Sequence, residues 1–229
     1  MMGLFCFYDL KVTEIMGGIK MLLYGHRGSP RKQPENTIIA FAQALSDGAD
    51  GFELDLQVAA DDSWWILHDE TLDRTTSGHG RLKETTSQEL TTLGVLSLTT
   101  FLDWLPQGVV VNLEIKGDPS DAALQAMLAT TSHLRAIYSS FSSRTCQALQ
   151  QRGARVGYLF ADNLQENIDF AQRESFYAIH PEHHLVQQSN LYPVVNVWTV
   201  DEPVRALELI KYGVAGIITN VPDKIKKSL

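Results

Sequence analysis

Short apolar runs alternate with helical spacings from residue 109 to residue 219, and few architectures accommodate that rhythm. Strands are predicted at 109–116, 136–141, 155–160, 176–180, 194–200 and 216–219. Helices are predicted at 120–133, 142–152, 163–174 and 202–212, with a looser helical piece near 182–191 and a last helical turn at 223–227. Parallel strands need long crossovers, and helices between strands supply them, so this stretch reads as a parallel sheet wrapped in helices. Upstream, 22–26 and 51–58 extend the pattern around a helix at 37–45. The pair 52–58 and 64–67 is joined by too few residues for a parallel crossover and reads as an antiparallel hairpin. Setting that hairpin arm aside leaves eight strands, the number a (β/α)8 TIM barrel requires.

The polar, threonine-rich stretch 70–98 reads as a small insertion after the second strand and its hairpin. It carries one short helix near Ser87–Leu93, and another helix follows at 99–105. Residues 1–20 read as an extension outside the fold, and 21–229 as a single domain. A chain of 229 residues is large enough to bury a substantial core in one domain. No basic leader, long apolar segment or 18-residue apolar run is found, so neither a secretory signal nor a membrane span is expected. The two cysteines, Cys6 and Cys146, have no metal-ligand spacing and fit a reducing cytoplasm. A net charge of −8 lacks the basic footprint that nucleic acid or an anionic membrane demands. A small anionic substrate needs only local cations, and the oligomeric state stays open, a homodimer included.

The chemistry gathers where strands end. Leu22–Lys32 runs from a buried strand into a loop that opens on His26 and Arg27, broken by Gly28 and Pro30, before an Asn36 or Thr37 cap starts a helix. Glu53 and Asp55 stand at i and i+2 and share one strand face, and Glu114 and Lys116 repeat the spacing. Inward acids repel unless neutralised, and an all-oxygen set selects a hard cation such as Mg²⁺ or Ca²⁺, with Mn²⁺ a further candidate. His26 and His68 each end a strand and can divide acid and base work near neutral pH. Arg27 and Lys116 supply fixed positive charge for an anion such as phosphate. The set suits metal-assisted phosphoryl chemistry. The remaining histidines read as structural or solvated.

His26-Arg27-Gly28, Pro34-Glu35-Asn36-Thr37, Glu53-Leu54-Asp55, His68-Asp69, Leu72 through Gly80 and Glu114-Ile115-Lys116 occur in this order. With Trp198-Thr199-Val200 and Ile218 through Pro222, the set resembles the glycerophosphodiester phosphodiesterase family in its bacterial cytosolic form. The resemblance spans about Leu22 to Asp223. It implies a (β/α)8 barrel with a small insertion after His68, and metal-dependent hydrolysis of substrates such as glycerophosphocholine and glycerophosphoethanolamine to glycerol 3-phosphate and an alcohol. Carried over by position, it implies metal binding by Glu53, Asp55 and Glu114, and acid/base roles for His26 and His68. Arg27 and Lys116 would hold the phosphate, Trp198 would pack on the glycerol end, and Glu35 would lie near the site.

Three positions depart from the family's pattern. Ala60-Asp61-Asp62-Ser63 replaces a Thr-x-Asp-Gly turn, Trp64-Trp65 is bulkier than usual, and Asn220 stands where Asp is common. Other readings are a lysophospholipase D acting on lipid, a silent barrel kept for binding, and a metal-dependent sugar-phosphate isomerase or aldolase. The absence of a basic amphipathic segment disfavours the first. The full chemical set disfavours the second, and the paired histidines the third.

Overall fold

The structure is a computed structural model and describes residues 21–229. The expected extension at 1–20 lies outside the described residues. Strands β1 (Leu22–His26) and β2 (Gly51–Val58) flank helix α1 (Ile38–Ser46), and β3 (Trp64–Ile66) folds back on β2. Next come α2 (Ser87–Thr92), β4 (Leu96–Ser97), α3 (Leu98–Trp104), β5 (Val110–Ile115), α4 (Asp121–Thr131) and β6 (Arg135–Ser140). Helices α5 (Ser143–Gln151) and α6 (Leu164–Arg173) flank β7 (Val156–Phe160), followed by β8 (Ala178–Pro181) and β9 (Asn196–Val197). Helix α7 (Pro203–Lys211), β10 (Gly216–Thr219) and α8 (Pro222–Ser228) complete the chain.

The parallel strands run in the order β8-β7-β6-β5-β2-β1-β10-β9. Single bridges, Ile179 to Val195 and Glu182 to Trp198, bring the two ends together. The result is a nearly closed eight-stranded barrel. The β2–β3 pair is antiparallel, with Leu56 opposite Ile66 and Val58 opposite Trp64, which is the hairpin expected from its short connection. Strand β4 was not foreseen. It extends the hairpin by pairing Trp65 with Ser97.

Two other expectations need correction. The helical piece near 182–191 is only a 3-10 turn at His183–Leu185. Asn190 takes a left-handed φ of 61° and Pro193 follows closely, and neither suits a continuing helix. The strand at 194–200 shrinks to Asn196–Val197, because Val195 and Trp198 on either side make only single bridges, to Ile179 and Glu182, and beyond them the Val200 amide bonds to the Ile218 carbonyl.

Period-two alternation decides what the barrel encloses. On β2, Phe52, Leu54 and Leu56 are fully buried beneath the helices. Phe52 stacks on Phe41 of α1 at 4.6 Å, and Phe101 of α3 meets both edge-on. Emptying such a site, as in Phe41→Ala, costs about 3–5 kcal/mol. Glu53, Asp55 and Gln57 face the other way and are also buried, inside the barrel. Helix α1 starts cleanly, since the Thr37 hydroxyl accepts from the Ala40 amide.

The lower barrel is filled by paired volumes. His180 on β8 is buried and bonds to Asn196 on β9 at 2.9 Å. A Cβ on Gly157 would lie 2.5 Å from His180 Nε2, and one on Gly216 2.3 Å from Asn196 Oδ1. Tyr24, Val110 and Ile218 pack beside them, with Trp198 above. No helix among the described residues is long and apolar enough to cross a membrane.

Candidate active site

A cavity of about 170 Å³ opens at the strand ends. His26, Arg27, Glu53, His68, Glu114, Lys116 and Trp198 line it, together with Asn112, Phe141, Leu159, Thr199 and Ile218. The sequence had singled out all seven of the first group. The eighth candidate, Asp55, is wholly buried against Arg27 and Lys116. A larger groove of about 280 Å³, between α1 and the 91–100 stretch, is lined by no ionisable side chain.

The loop after β1 is held open by backbone conformation. Arg27 adopts a left-handed φ of 56° and Gly28 one of 90°. A Cβ at Gly28 would lie 2.5 Å from the Ala40 backbone, so only glycine lets this turn sit against α1. The Arg27 amide donates to Glu53 Oε2 at 3.0 Å, its Nη1 to Glu35 at 2.9 Å, and its Nε lies 3.4 Å from Asp55.

Glu53, Asp55 and Glu114 offer oxygens within 4.8 Å of one another. Lys116 Nζ bridges Asp55 at 2.9 Å and Glu114 at 2.5 Å. Burial raises the Glu53 carboxyl well above its ordinary value, and the neighbouring Asp55 and Glu114 push it further. Burial and Asp55 lift Glu114 to about 7. Burial would lift Asp55 too, but Lys116, Arg27 and the Asn36 amide hold it at about 2. Three acids thus face two fixed cations, and Glu53 Oε1 is buried without a hydrogen-bond partner. An oxygen-only donor set with surplus negative charge and an unused inner oxygen fits a hard divalent cation.

The two histidines have different partners. Asn220 Nδ2 donates to Asp201 Oδ2 at 2.9 Å, which turns its Oδ1 toward His26 Nδ1 at 2.7 Å. The amide oxygen only accepts, so His26 donates from Nδ1 to Asn220 and leaves Nε2 bare, 3.9 Å from Glu53. Burial, reinforced by Arg27, pushes the His26 ring down to about 4 and keeps it neutral. His68 Nδ1 instead bonds to the Asp69 carboxylate at 2.7 Å.

Sequence reasoning missed several neighbours. Asn36, read as a possible cap, has a φ of 56° and donates to Asp55 at 2.8 Å. Asn112 is visible only through its inward register beside Glu53. Phe141 stands edge-on to Trp198 at 5.4 Å while Trp198 Nε1 donates to the His180 carbonyl, which fixes the indole at the rim. Asp69 and Arg74 lie inside the family-like motifs without a role assigned there.

A second cluster, Glu182, His183 and His184, also gathers potential ligands. Arg205 Nε donates to His183 Nδ1 at 3.5 Å, so the His183 proton sits on Nε2, facing Glu182 at 3.6 Å. A cation on Nε2 would need the opposite tautomer, pressed against a permanent donor. The cluster is an ion-paired surface group.

Residues 26–224 match the sequence model of the glycerophosphoryl diester phosphodiesterase family. A glycerophosphodiester phosphodiesterase of Caldanaerobacter subterraneus subsp. tengcongensis is 32% identical over 90% of this chain and 97% of its own. The crystal structure of the glycerophosphodiester phosphodiesterase of Thermotoga maritima superposes with a TM-score of 0.79 at 25% identity, covering 90% of this chain and 97% of that one. A phosphodiesterase of Oleispira antarctica, solved with its product sn-glycerol-3-phosphate, shares the fold at 21% identity and a TM-score of 0.78, covering 90% and 96%. By sequence over most of its length and by fold, the chain belongs to the glycerophosphoryl diester phosphodiesterase family and is an enzyme of that class.

Proposed function

We propose that this cavity hydrolyses glycerophosphodiesters such as glycerophosphocholine and glycerophosphoethanolamine to glycerol 3-phosphate and the free alcohol. The observation that carries the reading is the buried acidic trio set between two histidines whose partners differ in charge. A divalent cation, Mg²⁺ or Ca²⁺, would be held by Glu53, Asp55 and Glu114 and would supply Lewis-acid polarisation of the phosphate. Arg27 and Lys116 hold the phosphate oxygens, and Trp198 packs on the glycerol carbons.

His26 acts as general base. Its bare Nε2 takes the proton of the attacking oxygen, either a water, which gives glycerol 3-phosphate directly, or the glycerol 2-hydroxyl, which gives a cyclic phosphate that a water then opens to glycerol 3-phosphate. His68 acts as general acid, because the Asp69 carboxylate is the partner that an imidazolium needs. It gives its proton to the departing alcohol oxygen. The Oleispira phosphodiesterase of the same fold holds the product proposed here. On this reading residues 21–229 form one catalytic domain, the 70–98 stretch is an insertion, and the enzyme acts on water-soluble substrates in the cytoplasm.

The test is release of glycerol 3-phosphate from both substrates with EDTA, Mg²⁺, Ca²⁺ and Mn²⁺ in parallel. Metal-dependent release is expected from each. Folded protein that releases nothing with any ion would overturn the substrate assignment, and lysophospholipid would be the next substrate to try.

A further inference from the structure

We infer that Arg74, on the loop that follows β3, is a positioning residue that couples the phosphate-holding Arg27 to His68. The inference rests on the acid role proposed for His68. The guanidinium forks in two directions. Its Nη1 and Nη2 donate to the two Glu35 oxygens at 2.8 and 2.7 Å. Its Nε and Nη2 donate to the two Asp69 oxygens at 2.5 and 3.1 Å. Each carboxylate serves a second master. Glu35 Oε1 also accepts from Arg27 Nη1 at 2.9 Å, and Asp69 Oδ1 also accepts from His68 Nδ1 at 2.7 Å. One unbroken chain of hydrogen bonds therefore runs Arg27, Glu35, Arg74, Asp69, His68.

The arrangement uses what only a guanidinium offers. Two bidentate carboxylates require a planar fork with donors on two edges, and a lysine ammonium cannot span both. Without Arg74, Glu35 and Asp69 would be neighbouring negative charges with one partner each, free to swing Arg27 and His68 away from the cavity. The side chain is 47% exposed, and ion pairs that exposed contribute little to stability, so loss of the fold is not the expected result of removing it. What it fixes is the direction of two groups that line the same cavity.

The experiment measures kcat and KM of the metal-loaded enzyme on two substrates: glycerophosphocholine, whose alkoxide needs a proton to leave, and the glycerol phosphodiester of p-nitrophenol, whose phenolate leaves without one. Arg74→Ala is expected to lower kcat on the choline ester about 10- to 100-fold, with less than about a 3-fold loss on the nitrophenyl ester. KM should rise on both, because Arg27 loses its brace. Asp69→Asn should reproduce the kcat half of the effect, Glu35→Gln the KM half, and Arg74→Lys should recover part of each. Equal kcat losses on the two substrates, or no loss in folded protein, would overturn the inference. Should Arg74→Ala fail to fold, the same comparison in Arg74→Lys decides. If His68→Ala loses both substrates equally, the acid role falls and the inference falls with it. A selective loss in His68→Ala without one in the Arg74 variants overturns the inference alone.

Discussion

The two halves of the barrel mouth are built on different physics. On the β1, β2 and β5 side, each inward carboxylate is held by an amide or a fixed cation. Glu53 receives the Arg27 amide, Asp55 receives Asn36 and lies against Arg27 and Lys116, and Glu114 receives Lys116. Across the cavity, Phe141, Leu159, Trp198 and Ile218 form an apolar wall that carries no charge. The charged half is over-determined and frustrated, with three acids sharing two cations. The apolar half is shaped but uncommitted. On the function proposed, affinity for phosphate and the grip on the glycerol carbons are written in separate places, so each can be broken without the other.

The largest effect should follow removal of either histidine. His26→Ala and His68→Ala should each lower kcat by about 10²- to 10⁴-fold with the fold intact, as steady-state rates and circular dichroism would show. Next, Glu114→Gln should abolish the response of activity to added divalent cation. Because a crowded buried charge is gone, the same variant should stabilise the metal-free protein by about 1 kcal/mol, or about 2–4 °C in Tm. Trp198→Ala tests the opposite wall. Losing an aromatic contact of about 1–2 kcal/mol should raise KM about 5- to 30-fold while kcat falls less.

The smallest effect is in pH. In the metal-free fold, Glu53 and Glu114 keep protons that the unfolded chain has lost above about 4.5. At these two groups the folded state binds more protons, so their contribution to stability falls as pH rises from about 4.5 toward about 7, while the buried His26 and His180 contribute in the opposite sense. The effect of the trio is therefore read as a difference: thermal melts should show the Tm advantage of metal-free Glu114→Gln over the parent growing across this interval, and a divalent cation should raise the parent's Tm more at pH 7 than at pH 5. An advantage flat across the interval would mean that the trio is not frustrated.

The contrast between the halves also marks what could be read from the chain. Alternation along Gly51–Val58 places Glu53 and Asp55 on one face, and burial of both faces in a barrel sends that face inward. The charged half was legible because strand periodicity is local. Arg74 was not, since its fork joins Glu35 from 39 residues away across a loop without regular structure. Asn220 was noted for departing from Asp, but its use as the acceptor for His26 depends on Asp201, whose carboxylate turns the amide, and no spacing rule shows that. The overcalled 194–200 strand fails for a similar reason. Its apolar run fits a strand, and only the fold shows that the ladder is reduced to Asn196–Val197 with single bridges at Val195 and Trp198.

The paired volumes beneath the mouth bear on how such a barrel can change over generations. Gly157 and His180 fill one space between them, as do Gly216 and Asn196. A larger residue at either glycine is a collision unless its counterpart has already shrunk, whereas a smaller residue at 180 or 196 leaves a void and forfeits the hydrogen bond between them but meets no clash. Mutations here are therefore ordered in time: the big side chain must yield first, and the glycine may grow only afterwards. The floor of the barrel has a direction of travel, and a lineage that has taken the second step cannot retrace the first alone.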